Sequence, residues 1–78
     1  MESKVKDYIQ KKVGGDVDFG NDDDIFAKGF VNSMFAMQLV MFLEREFAIK
    51  VKNEEMSVTN FNTVNNITAF ISSKKVSV

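Results

Sequence analysis

The chain has 78 residues, enough for one small domain with one modest core. It contains neither cysteine nor histidine, which excludes disulfides, thiolate metal sites and Ser-His or Cys-His catalysis within it. Ten basic residues against eleven acidic ones leave a net charge of −1, with no electrostatic pull toward nucleic acid.

Over 2–13, Val5, Tyr8, Ile9 and Val13 share one helical face while Lys4, Lys6, Asp7 and Lys11 share the other. Gly14-Gly15 stops that helix, because glycine readily takes the left-handed conformation at a helix end. A long loop is predicted over 14–32, with Phe19, Ile25, Phe26 and Phe30 pinning it to the core. The strongest helix signal covers 33–47, where Ala36, Leu39, Val40, Leu43 and Phe47 form a stripe and Glu44, Arg45 and Glu46 mark a wet face. Asn32 or Ser33 can cap it. An extended connector is predicted over 48–53 and a short helical turn over 57–62. A last helix follows over 63–73, with Val64, Ile67, Phe70 and Ile71 on one face, Asn62 or Thr63 as cap, and a frayed tail from 73 onward. The sum is an all-α bundle of three long helices and one short one, with one long crossover loop.

The apolar run MFAMQLVMFL at 34–43 falls well short of the roughly 20 residues that span a membrane. The opening MESKVKDYIQKK lacks the apolar segment of a secretory signal. A soluble, cytoplasmic, monomeric protein without membrane insertion is expected.

Asp22-Asp23-Asp24 is expected to be a solvated acidic run, since calcium-loop spacing and its closing glutamate are missing. Ser33 has two readings. It is an ordinary first-turn residue, or it presents a hydroxyl at the positive end of a helix, where a phosphate ester is stabilised without any lysine. In the second case Gly29 frees the preceding loop, and a separate enzyme supplies the base for the modification. Met34, Met37 and Met41, at i, i+3 and i+7, suit either an irregular core or an adaptable contact surface. Phe35 and Phe42 share a face with Gln38 and Arg45, away from the Leu39–Leu43 stripe, and suit either a partner contact or packing against the long loop.

Four segments align these features in one order. They are D-D-D-I-F-A-K-G at 22–29, G-F-V-N-S-M at 29–34, A-M-Q-L-V-M-F-L-E-R-E-F-A-I-K-V at 36–51 and N-F-N-T-V-N-N-I-T-A-F-I at 60–71. Together they span nearly the whole chain and resemble the acyl carrier and peptidyl carrier proteins, whose Asp-Ser-Leu motif opens the second helix and bears 4′-phosphopantetheine. The resemblance implies Ser33 as the attachment residue, Asn32 as the adjacent cap, no catalytic residue and no metal. It implies that Met34, Met37 and Met41 partly line an acyl pocket and partly meet partner enzymes, on a face that also carries Gln38, Phe35 and Phe42. The implied partners are a phosphopantetheinyl transferase, an acyl- or aminoacyl-loading enzyme and downstream synthases or transferases. Gln38 and Arg45 make this helix less negative than that of strongly acidic carriers, so docking should rest more on apolar contact. The pattern is departed from at Asn32 (usually aspartate), Met34 (usually leucine) and Ala48 (usually glycine). The expected function is a stand-alone carrier holding an acyl or aminoacyl thioester, with polyketide or nonribosomal peptide biosynthesis as the first reading. The alternatives are a D-alanyl or fatty-acid-type carrier, or an unmodified helical interaction module.

Overall fold

The computed structural model describes residues 2–76. Its order is α1 (Glu2–Val13), α2 (Ser33–Phe47), a 3₁₀ turn (Asn53–Glu55), the short α3 (Val58–Phe61) and α4 (Val64–Val76). The described residues contain no strand, so the fold is all-α with three long helices and one short one.

In α1, Val5 and Ile9 lie one turn apart and are both fully buried. The helix closes at Gly14, whose φ of 109° is the left-handed geometry that glycine adopts without a Cβ clash. Its N–H donates to the Gln10 carbonyl at 3.0 Å. The Gln10 side-chain amide then donates to the Gly14 and Val17 carbonyls at 2.7 and 2.6 Å, which folds the chain back along the helix.

The long loop holds a turn of its own. Asp24 Oδ1 accepts the N–H groups of Phe26 and Ala27 at 3.0 and 2.9 Å, and Phe30 N–H closes the turn on the Ile25 carbonyl at 3.1 Å. Gly29, at φ 79°, supplies the left-handed residue such a closure needs. Phe19 and Ile25 are buried, while Phe26 and Phe30 pack half-buried against the core.

The acidic run stays at the surface, as expected, and Asp22 and Asp24 also stitch the loop to the α3–α4 junction. Asp24 Oδ2 accepts the Asn62 amide at 2.9 Å, Asp22 accepts the Asn65 amide, and Asp23 accepts Gly20 N–H. Two backbone bonds run alongside, Ile25 N–H to the Asn62 carbonyl at 2.9 Å and Asn65 N–H to the Asn21 carbonyl at 3.1 Å.

In α2 the Leu39, Val40 and Leu43 side chains are buried, and the helix ends at Ala48 in the left-handed region. Ser57 caps α3, and Phe61 anchors it with an edge contact to Phe70, ring centroids 5.2 Å apart. Thr63, and not Asn62, caps α4, its Oγ1 accepting Asn66 N–H at 2.9 Å. Helix α4 outruns the expected end at 73. Lys74 bonds to Glu55 and lies over the Phe70 ring, which ties the last turn to the 3₁₀ turn. Ser77 and Val78, part of the tail expected to fray, lie outside the described residues. No helix among the described residues is long and apolar enough to cross a membrane.

Candidate functional site at the start of helix α2

Asn32 stands in extended backbone before α2, and its Oδ1 accepts Phe35 N–H at 3.1 Å. Because Asn32 takes the cap, Ser33 does not need to. Ser33 is the first helical residue and is exposed, and its hydroxyl makes no hydrogen bond among the described residues. The N–H groups of Ser33 and Met34 are likewise unpaired there, as the first donors of a helix are. The first turn holds no acidic residue. By contrast, Ser57 and Ser73 have engaged hydroxyls, one capping α3 and one donating to the Phe70 carbonyl.

An open apolar cleft of about 270 Å³ begins beside Ser33. Helix α2 contributes Ala36, Met37 and Val40, the loop contributes Phe26, and the segment around α3 contributes Met56 and Val58. On the other flank, Met34 and Gln38 border a smaller hollow with Lys12, Phe30 and Asn32. Met41 lies further along α2, near Arg45 and Ile49. The structure therefore brings Ser33, Asn32, Met34, Met37 and Gln38 to one end of α2 and leaves Met34, Met37, Gln38 and Met41 exposed.

Phe35 and Phe42 correct the sequence expectation of an exposed aromatic face. Phe35 is buried and Phe42 half-buried. Both meet Tyr8 of α1, with Phe42 stacked at 4.1 Å between ring centroids and Phe35 at 6.0 Å. The packing alternative is also altered, because helix α1 supplies the aromatic partner. The cause is that α2 is covered on two sides, so a face away from the Leu39–Leu43 stripe is still an inner face. Met56 and Val58 were missed by the sequence reading. Met56 lies just before, and Val58 opens, a helix of four residues, too short to show a periodic face.

Residues 3–71 match the family described as phosphopantetheine attachment site. The chain belongs to that carrier-protein family. The D-alanyl carrier protein of Lactococcus lactis subsp. lactis is 35% identical to it over 77 residues, covering 96% of both chains. That of Streptococcus uberis is 34% identical over 67 residues, 86% of this chain and 85% of its own. That of Leuconostoc mesenteroides is 27% identical over 73 residues, 94% of both. As a member of this family the protein is a carrier and not an enzyme, and it holds 4′-phosphopantetheine covalently. Its partners are of the kind carrier proteins meet, enzymes that attach the group and enzymes that load or unload it. The start of α2 fits such a group. It offers a free hydroxyl, two unpaired N–H groups at the positive end of the helix, and no carboxylate in the first turn to repel a phosphodiester.

Proposed function

We propose that Ser33 is the attachment residue and that the protein is a carrier of D-alanine. The observation that supports the site is the division of labour at the start of α2, where Asn32 caps and Ser33 keeps an unbonded, exposed hydroxyl. The Ser33 oxygen attacks the phosphorus of coenzyme A that bears the pantetheine. The pyrophosphate bond breaks, the serine proton passes to a base of the transferase, and the adenosine bisphosphate leaves. This chain has no histidine to act as that base, which agrees with a modification done by another enzyme. Once bound, the group supplies a terminal thiol that holds cargo as a thioester. Cargo identity rests on the relatives, which are D-alanyl carriers. They favour this cargo over the polyketide or peptide-synthetase reading, which no relative named here supports.

Two measurements test this. Intact mass after incubation with coenzyme A, magnesium and a broad-specificity transferase should show one phosphopantetheine adduct, absent in Ser33→Ala. The adducted protein, given ATP, D-alanine and a D-alanine-activating ligase, should gain one alanyl group that hydroxylamine removes. An adduct that persists in Ser33→Ala refutes the site. A protein that accepts the adduct but never alanine refutes the cargo alone.

A further inference from the structure

Methionine is among the residue types most often fully buried. In this chain the distribution is inverted. Met1 lies outside the described residues, and Met34, Met37, Met41 and Met56 are 68%, 62%, 67% and 42% exposed. The buried core contains no methionine among the described residues. Three of the four share one face of α2. Met34 directly follows Ser33, and Met37 and Met56 line the cleft that Ser33 opens. From Gly29 to Leu43 the sequence carries no charged residue. Around Ser33 itself α2 presents flexible thioether and the neutral Gln38 amide, and charged side chains stand at the margins, Lys12 beside Met34 and Arg45 beside Met41. On the reading of Ser33 as the attachment residue, the transferase must cover this surface to reach the hydroxyl. An uncharged, apolar face on the transferase complements it.

We propose that Met34, Met37, Met41 and Met56 form an oxidisable contact face for the phosphopantetheinyl transferase, and that their conversion to sulfoxide disconnects the carrier from that enzyme without unfolding it. The oxidant is a hydroperoxide. The thioether sulfur attacks one peroxide oxygen, the O–O bond breaks, and a sulfur–oxygen bond forms. With hydrogen peroxide the other oxygen leaves as hydroxide and is protonated to water; sulfur loses two electrons and the peroxide gains them. A sulfoxide is polar and chiral, so an apolar contact becomes one with an oxygen to desolvate. The fold is spared because none of these side chains fills the core. The chain has no cysteine to intercept the oxidant before the arm is attached.

The test uses the full chain before modification, treated with hydrogen peroxide until mass and peptide mapping show sulfoxide at these four positions. The melting midpoint should stay unchanged, and the rate of Ser33 modification should fall about tenfold, the loss expected when an interface anchor is disabled. Methionine sulfoxide reductases of both stereospecificities should restore it. The variant M34L/M37L/M41L/M56L, whatever its starting rate, should not be slowed further by peroxide. The variant M34Q/M37Q/M41Q/M56Q should reproduce the slow rate with no oxidant. Oxidised, folded protein modified at the untreated rate overturns the proposal, as does a leucine variant that peroxide slows as much as the native chain. Untreated protein that no transferase modifies would overturn the Ser33 reading along with it, a result distinct from equal rates before and after peroxide.

Discussion

Ala48 ends α2 with φ 54° and ψ 45°, a left-handed backbone in which a Cβ crowds the following carbonyl. Replacing it by glycine removes that crowding and gives back part of the gain as unfolded-chain entropy. Ala48→Gly should therefore stabilise the protein by about 0.5–1 kcal/mol and raise the melting midpoint by about 4 °C. A lower midpoint would show that the left-handed turn is not present in solution. Asn32 is the second informative residue. Asn32→Ala removes the oxygen that accepts Phe35 N–H and should cost about 1 kcal/mol. Asn32→Asp keeps that oxygen and adds a negative charge at the positive helix end, so it should gain about 0.3–1 kcal/mol, measured by urea titration. If both substitutions cost the same, capping is not what Asn32 does.

Among the elements, the long loop and the 3₁₀ turn depend on carboxylates. The Ala27 N–H, the largest influence, holds the Asp24 carboxyl below the usual carboxylate range; desolvation comes next and opposes it, and the Asn62 amide and Phe26 N–H lower it further by smaller amounts. Glu55 is held low first by its hydrogen bond from Lys74 and then by Lys52 N–H. A depressed folded value means that the charged form is favoured by folding. The stability these groups add is thus complete above the ordinary carboxylate value of about 4 and is lost as pH falls through the lower folded values. The melting midpoint should be level from neutral pH down to about 5 and fall steeply below about 4. Asp24→Asn keeps an Oδ1 acceptor but loses the charge, so its midpoint should be lower at neutral pH and its acid decline shallower. An unchanged acid decline in that variant would remove Asp24 from the account.

For the molecule as a whole, α2 has one face that holds the fold together and one that does not. A domain of this size is stable by only about 4–12 kcal/mol. Leu39 is fully buried, and Leu39→Ala should cost about 3 kcal/mol, a large share of the total. Met37 is mostly exposed, and Met37→Ala should change stability by less than about 0.5 kcal/mol. Denaturant titration of the two variants measures this contrast, and equal losses would mean that the two faces are misassigned. The helical class and the core stripes Val5/Ile9, Leu39/Val40/Leu43 and Val64/Ile67/Phe70/Ile71 were legible in the sequence, because a period of 3.6 residues writes a buried face into the order of side chains. So was the helix start at the Asn32-Ser33 step, because a polar pair before a long apolar run marks one. Periodicity says which residues share a face but not what covers it. That Tyr8 of α1 lies against Phe35 and Phe42, that Asp22 receives an amide from a residue 43 positions away, and that Met56 and Val58 complete the cleft beside Ser33 are matters of long-range packing. Such contacts form between segments whose local patterns are independent, so they exist only once the helices have docked.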